Sequence, residues 1–353
     1  MSRYRRSSLI VVGAAFLALG NMPCPGSSGL PIPPGDGMPR PSGPAGNLKV
    51  LDWAGFRGAV TYTFDDSQPS QIEHYAELQA AGVPMTFYLS SGWAGAPAYD
   101  ATWTQAVRDG HEVANHTVHH CRSDLTGCAI GTPDATQLAE IDDNTAYIVQ
   151  HTGEQDVWTM ASPFGDSGWD AFAKQRFFLH RDVFQGMVAP NDSTDPFHLP
   201  CYMAGAPQDG GVDALQSTFD GLIDAASSRG TWLIFLFHTI MPTTNNWYGP
   251  VDIGAITGSM SHAKSPGDIW IDTLANVGAY WRAQKMFSSI TPVTARGVTT
   301  WTWTLPPHFP PGKFLRVTVD GGTLRQRGNR LVWNEHGFYE VALDAGSLTL
   351  ARY

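Results

Sequence analysis

Two short stretches of the sequence carry side chains that could act together in catalysis. Residues 60–64 are rich in β-branched and aromatic residues and end in the adjacent carboxylates Asp65 and Asp66. Neighbouring residues of a strand point to opposite faces, so we expect these two carboxylates to have different roles. His116 and His120 are four residues apart, and a helical turn or a tight loop would bring both imidazoles to one side. Two imidazoles and a carboxylate make a divalent-metal site with open positions for water, which is typical of hydrolysis or oxygen chemistry.

Two further strand-like runs end in polar residues. A turn with the sequence Ala-Ser-Pro-Phe-Gly-Asp occupies residues 161–166, and His238 follows the strongly apolar run 232–237. A lone histidine such as His238 is more often a hydrogen-bonded core residue than a functional one. In a parallel barrel, however, functional groups collect at the carboxyl ends of the strands, and this favours a shared site.

The alternation of strand-like and helix-like segments predicts the fold of the central region. Strands are expected at 60–64, 85–89, 111–115, 157–160, 177–180 and 232–237, and helices at 70–81, 101–108, after an N-cap at Thr136, at 212–226 and, after a cap at Asp268, at 269–284. Repeated strand-helix units indicate a parallel sheet with helices outside. We therefore predict an α/β protein with a distorted or incomplete (β/α) barrel.

Beyond residue 287 the pattern changes to short strands separated by glycine turns. They are expected at 298–303, 314–319, 331–333, 338–343 and 348–350. A small C-terminal antiparallel β domain is predicted, which either packs on the barrel or binds a glycan. Packing is favoured, because five short strands make a thin core alone.

The N-terminus has the features of an export signal. Three arginines, Arg3, Arg5 and Arg6, precede the apolar run 9–19, which is short for a membrane span. The predicted organisation is a signal peptide at 1–20, a Pro/Gly/Ser-rich linker at 21–47, a catalytic domain at 48–287 and a small all-β domain at 288–353. The protein is expected to be secreted or held in the cell envelope. A lipid anchor at Cys24 is an alternative, although the preceding residues are a poor context for one.

Export allows disulfides. Cys121 with Cys128, Cys128 with Cys201, or a pair that includes Cys24 are the alternatives. The sequence has no C-x-x-C motif, so neither a structural zinc site nor a redox motif is expected.

Composition limits the choice of partners. The net charge of the 353 residues is -10, which argues against nucleic acid and anionic membranes, since both require clustered cations. Aromatic residues make up 11% of the chain, with 12 tryptophans, and aromatic faces can stack on sugar rings. No stable protein partner is indicated.

Four segments of the chain resemble motifs of the polysaccharide deacetylases, the NodB-homology group or carbohydrate esterase family 4. They are residues 63–66 (Thr-Phe-Asp-Asp), 110–120 (containing both spaced histidines), 161–165 (Ala-Ser-Pro-Phe-Gly) and 236–238 (Leu-Phe-His). The motifs stand in the family's order, and the similarity extends over about residues 60–285. The resemblance implies a hydrolase that removes acetyl groups from an N-acetylated or O-acetylated polysaccharide or oligosaccharide.

The same resemblance implies a role for each motif residue. Asp66, His116 and His120 would hold a divalent metal, commonly zinc. Asp65 would be the general base and His238 the general acid. Leu236 would line the pocket for the acetyl methyl group, and the backbone N–H of Phe164 would help to hold the oxyanion. The alternatives are a catalytically weakened glycan-binding protein on the same scaffold, and a hydrolase of another amide or ester.

The sequence departs from the family pattern in two places. Ser67 follows Asp66 where the family usually has glycine, and Ala161 stands where the third motif usually has an arginine that orients the base. Losing such a supporting residue typically costs ~10 to 100-fold in activity. Either activity is reduced or another group, such as Arg181, replaces the arginine. The fourth motif is not identified by the sequence, and residues 182–184 and Trp247 are both candidates.

Overall fold

The structure is a computed structural model and describes residues 28–93 and 95–352. The predicted signal peptide at 1–20 and Cys24 lie outside these residues. Among the helices in the described ranges, none has the length and apolar character needed to cross a membrane.

The central region alternates strands and helices. In chain order the elements are β1 (Lys49–Val50), β2 (Gly58–Phe64), α1 (Pro69–Glu73), α2 (Tyr75–Ala80), β3 (Thr86–Leu89), α3 (Asp100–Arg108), β4 (Glu112–Asn115), α4 (Gln137–Thr152), β5 (Thr159–Ala161), α5 (Asp170–Ala173), β6 (Leu179–Arg181), β7 (Tyr202–Met203), α6 (Gln216–Arg229), β8 (Trp232–Phe237), β9 (Ile240–Met241), β10 (Val251–Asp252), α7 (Ile253–Lys264), β11 (Ile269–Ile271) and α8 (Leu274–Ser288).

Eight parallel strands form the central sheet. Their order is β6-β5-β4-β3-β2-β8-β7, and β11 pairs with the first residues of β2. At the two edges, Leu199 bridges Arg181 of β6 while Tyr202 pairs with Phe235 of β8. The segment 199–203 therefore contacts both edges and curls the sheet round. The fold is a distorted (β/α) barrel, as predicted.

The strands are buried on both faces because helices and the C-terminal sheets cover the barrel. Every residue of β2 and of β8 is buried. This explains why both strands read as continuous apolar runs rather than as alternating patterns. The predicted N-cap is also confirmed, since the Thr136 hydroxyl accepts a hydrogen bond from the Ala139 N–H at 3.1 Å.

The prediction of one helix over 269–284, capped by Asp268, is wrong. Residues Ile269–Ile271 are strand β11, and the helix begins only at Leu274. The Ile-Trp-Ile run has the β-branched and aromatic composition of a strand, and it pairs with β2. Thr273 is the cap, because its hydroxyl accepts from the Asn276 N–H at 3.2 Å. The predicted helix 70–81 is likewise two short helices that meet at His74.

The C-terminal region is all β apart from a short 3-10 turn. Its strands are β12 (Val293–Ala295), β13 (Val298–Thr302), β14 (Phe314–Thr318), β15 (Thr323–Gln326), β16 (Asn329–Arg330), β17 (Tyr339–Ala342) and β18 (Ser347–Ala351). The predicted strand at 331–333 is absent, and β16 just before it pairs with β15 instead. One sheet has the order β12-β13-β18-β15-β16 and the other β1-β14-β17, all antiparallel.

These β sheets pack against the barrel rather than standing apart. Leu315 and Val317 of β14 lie in the same buried hydrophobic cluster as Trp232 of β8 and Trp281 of α8. The part of the predicted linker that is described also joins this interface, because the Arg316 guanidinium donates to the Pro31 carbonyl at 2.6 Å. The C-terminal sheets thus share a core with the barrel.

Candidate active site

The two adjacent aspartates leave β2 at the carboxyl end of the barrel. Asp65 still belongs to the sheet, since its N–H donates to the Phe237 carbonyl at 3.0 Å, and its side chain is buried. Asp66 and Ser67 have φ angles of 74° and 53°, in the left-handed region, so the chain turns sharply after Asp65. This turn, rather than strand alternation, gives the two carboxylates different contacts, although both line the same cavity.

His116 and His120 lie in a tight loop after β4, one of the two arrangements that the spacing allows. Thr117 and His120 have left-handed φ angles of 62° and 48°. The Asn115 side chain holds the first turn by accepting from the Thr117 N–H at 2.8 Å. The buried Glu140 holds the second by accepting from the His119 N–H at 2.9 Å.

Asp66, His116 and His120 fit a divalent metal. Asp66 Oδ1 is 3.2 Å from Nε2 of His116 and 3.2 Å from Nε2 of His120. It is buried and, within the described chain, has no hydrogen-bond partner. The Nδ1 of His116 lies 2.9 Å from the Ala161 carbonyl, so it carries the proton and Nε2 is left as an acceptor. These donor types and their convergence suit a transition metal.

The charge state of Asp66 is set by its neighbours. Burial disfavours the ionised carboxyl, but the imidazoles of His116 and His120 and the charge on His238 outweigh burial and hold the pKa of Asp66 well below its usual range. The carboxylate is therefore ionised, as a metal ligand must be.

Asp65 is held by Arg181. The Arg181 Nη2 donates to both carboxylate oxygens of Asp65, at 2.5 Å to Oδ1 and closer still to Oδ2. Arg181 is fully buried in β6, and its guanidinium lies 5.2 Å from the centroid of the Tyr88 ring. Burial disfavours the arginine charge, but Asp65 more than offsets this and raises the pKa of Arg181. Arg181 on the neighbouring strand β6 thus provides the guanidinium that Ala161 on β5 lacks.

His238 lies at the end of β8. Its Nε2 is 4.0 Å from Asp66 Oδ2, and its ring stands edge-on to Tyr248 with centroids 4.9 Å apart. Burial lowers the pKa of His238, against the raising effect of Asp66 and Asp65. Its Nδ1 is buried without a hydrogen-bond partner from the residues that the structure describes.

Most of the predicted site residues meet in one cavity of about 430 Å³. It is lined by Asp65, Asp66, His116, His120, Phe164 and His238. Phe164 has a left-handed φ of 57°, and its ring stands edge-on to His120 at 4.5 Å. Leu236 is fully buried within β8 and does not line the cavity. The apolar lining comes instead from Val183 and Met203.

Other cavity residues carry no sequence signal. The Arg122 guanidinium lies 5.0 Å from the centroid of the Phe164 ring, and the Tyr248 hydroxyl donates to Asp209 at 2.7 Å. These residues come from loops whose tertiary placement does not follow from a local pattern. Arg122 alone among them lies next to a residue that the sequence singled out. Its neighbour Cys121 forms a disulfide with Cys128, which is one of the predicted pairings.

The fourth-motif candidates lie at different places. Asp182 follows Arg181 and pairs with His198, whose Nδ1 is 2.9 Å from the Asp182 carboxylate. Trp247 lines a second, smaller cavity on the other side of Asp66. Cys201 is a buried free thiol behind Arg181, and burial raises the pKa of Cys201 to about 12.

The fold and the site together define the class of protein. Two imidazoles and one carboxylate stand at the carboxyl ends of barrel strands, beside a second carboxylate and a third histidine, and this arrangement suits metal-assisted hydrolysis. Residues 56–176 match the family model described as polysaccharide deacetylase. This part of the chain belongs to the polysaccharide deacetylase family.

Several solved structures are similar to this chain. A family 4 carbohydrate esterase from Streptomyces lividans, in complex with acetate, is 17% identical with a TM-score of 0.41, and the match covers 61% of this chain and 92% of the esterase. A polysaccharide deacetylase from Bacillus cereus is 15% identical with a TM-score of 0.39, covering 61% of this chain and 91% of the deacetylase. No curated protein is significantly similar to the chain in sequence.

Proposed function

We propose that this protein is an exported, metal-dependent hydrolase that removes acetyl groups from N-acetylated or O-acetylated polysaccharide. One observation carries the proposal. The converging Asp66, His116 and His120 share a cavity with His238 and with Asp65, whose carboxylate Arg181 holds. Export rests on the basic and apolar N-terminus, and zinc on the donor set of two imidazoles and one carboxylate.

The residues of the chain divide the chemistry between them. A divalent metal bound by Asp66, His116 and His120 would lower the pKa of a water molecule and polarise the acetyl carbonyl. Asp65 accepts the proton of the attacking water, and Arg181 holds its carboxylate in place. His238 donates a proton to the departing amine or alcohol, because an amine leaves poorly unless it is protonated.

The test is acetate release from defined substrates. Chitin oligosaccharides, peptidoglycan and acetylated xylan are incubated with the purified protein, with and without a chelator. We expect chelator-sensitive acetate release from at least one of the three. Asp66→Asn should reduce it at least ~100-fold, since a metal ligand is lost, while Asp213→Asn, on an exposed aspartate outside the cavity, serves as the matched control. Acetate release that survives both the chelator and Asp66→Asn would refute the mechanism.

The alternative of a weakened glycan-binding protein depended on Ala161. The contact between Arg181 and Asp65 counts against this alternative, because Arg181 takes the place of the missing arginine at position 161. Hydrolysis of a different amide or ester at the same centre would instead give no acetate from these three substrates, but chelator-sensitive cleavage of a non-acetyl amide or ester added to the panel.

A further inference from the structure

A second cavity adjoins the catalytic cavity at Asp66 and His120, which line both. The second space has a volume of about 110 Å³ and is bordered by the same two residues together with the aromatic pair Trp93 and Trp247. Trp247 faces this space, whereas the next residue, Tyr248, lines the catalytic cavity. The loop that carries both residues thus lies alongside both cavities.

Trp247 lines the second cavity and remains partly exposed to solvent. Its ring stacks on Trp93 with centroids 4.6 Å apart and an interplanar angle of 30°, yet 43% of the residue remains exposed to solvent. A large apolar ring that is supported on one face and exposed on the other is suited to stacking against the apolar face of a sugar.

The position of Trp247 is fixed relative to the catalytic groups. The backbone N–H groups of Trp247 and Tyr248 both donate to the hydroxyl of Thr239, each at 3.1 Å. Thr239 is fully buried, directly follows His238, and donates in turn to Gln68 at 2.7 Å. Gln68 also donates to Asp66 at 3.1 Å. Hydrogen bonds thus connect the backbone of Trp247 to Asp66, a proposed metal ligand, through Thr239 and Gln68. Thr239 is also the next residue after His238, the proposed acid. These links favour a preorganised aromatic platform, made of Trp247 and Trp93.

We propose that Trp247, supported by Trp93, binds the sugar ring next to the ring that carries the acetyl group, so that the preferred substrate is an oligosaccharide of at least two residues. This inference rests on the proposed function, because it assigns the acetylated ring to the catalytic cavity. A competing site is the groove of the C-terminal sheets, of about 640 Å³, which Arg330 and Trp333 line.

The first experiment compares substrates of different length. For the wild type and Trp247→Ala, kcat/KM is measured on a hexamer of N-acetylglucosamine, on an acetylated xylose oligomer and on a small aryl acetate. We expect the variant to lose about tenfold more kcat/KM on the oligomers than on the aryl ester, mainly through KM. Trp247→Phe should recover part of the loss. An equal loss on all substrates, or none, would overturn the proposal.

The second experiment separates this proposal from the deacetylase activity. Binding of the same two oligomers to Asp65→Asn is measured by calorimetry, alone and combined with Trp247→Ala or with Arg330→Ala. The combination with Trp247→Ala should bind about tenfold more weakly, and the one with Arg330→Ala as tightly as Asp65→Asn alone. If neither oligomer binds, or if Arg330→Ala is the damaging change, the platform is not the binding site. Absence of acetate release with intact Trp247-dependent binding would instead disprove only the proposed function.

Discussion

Ala161 and Arg181 are directly paired residues of the neighbouring parallel strands β5 and β6, and the Arg181 side chain reaches the carboxylate of Asp65. The arginine expected on β5 is thus found one strand further along, at the same level of the sheet. Paired positions of parallel strands lie at the same level of the sheet. An arginine at position 181 can therefore contact Asp65 in place of an arginine at position 161.

The first prediction concerns this contact. Arg181→Lys should lower kcat for acetate release by about 10 to 100-fold with a smaller change in KM, because a single ammonium cannot hold both oxygens of Asp65 as the guanidinium does. Steady-state kinetics that separate kcat from KM check it. Arg176→Lys is the control, on a partly exposed arginine that pairs with Asp142 outside the cavity lining. Unchanged kinetics in Arg181→Lys would show that Asp65 needs no guanidinium.

The second prediction uses thermal stability rather than activity. Adding Zn²⁺ to chelated protein should raise Tm, since a ligand that binds only the folded state stabilises it by about 2.7 kcal/mol at 100 times its dissociation constant. Asp66→Asn should reduce this rise strongly and Asp213→Asn should not. Calorimetry with metal analysis gives the readout. A rise of equal size in Asp66→Asn would place the bound ion elsewhere.

The third prediction concerns pH and stability away from the metal ligands. Burial raises the pKa of Glu154 to about 7, although the Val113 N–H donates to its carboxylate and acts in the opposite direction. Folding therefore favours the neutral carboxyl. This contribution to the free energy of unfolding is complete below the unfolded-state pKa of about 4.3 and is lost as the pH rises through about 7.

Glu154→Gln removes the titration and keeps an acceptor for Val113. The variant should match the wild type near pH 4.5 and exceed its free energy of unfolding by about 1 kcal/mol at pH 8, a value reduced because Glu154 is only partly buried. Chemical unfolding at both pH values measures this. Glu335→Gln, on an exposed glutamate, is the matched control. A difference that does not change with pH would contradict the assignment.

The fourth prediction concerns the disulfide beside His120. Cys121 and Cys128 are seven residues apart, and closing a loop of this size stabilises a protein by about 2 kcal/mol in the chain-entropy description. The double change Cys121→Ser with Cys128→Ser should lower the free energy of unfolding by about that amount and make stability insensitive to a reductant. In Cys201→Ala the sensitivity to the reductant should persist. Loss of that sensitivity in Cys201→Ala would show that Cys201 takes part in the bond.

The strand ends were predictable from sequence because each carries two coincident signals, an apolar run and a polar residue directly after it. This placed Asp65, Asp66, His116 and His238 at one end of the barrel, and the structure brings them into one cavity. Arg181 could be named only as a candidate, since its contact depends on the register of β5 and β6, which local patterns do not fix.

Other features were not accessible to local reasoning. The apolar spacing of Trp270, Leu274, Val277 and Trp281 suits one helix face, and all four are buried, but the first belongs to β11. A short apolar run has no period that separates a strand from a helix turn. Helix α7 was not predicted, because its glycines, serines and threonine weaken the helical pattern. Tyr248 and Asp209 meet across two loops, and loop geometry has no comparable sequence rule.

The strand β1 precedes the barrel in sequence, but it pairs with β14 and so belongs to the C-terminal sheet of β14 and β17. The recognisable family segment, 56–176, lacks that strand and also ends before Arg181 and His238. A fragment trimmed to those limits would lose both the proposed acid and the arginine that holds the proposed base. Any longer fragment that keeps β14 without β1 would expose an unpaired strand edge, a template for self-association. Useful boundaries for a shortened protein therefore lie upstream of residue 49 and at the C-terminal strand, wherever sequence similarity happens to stop.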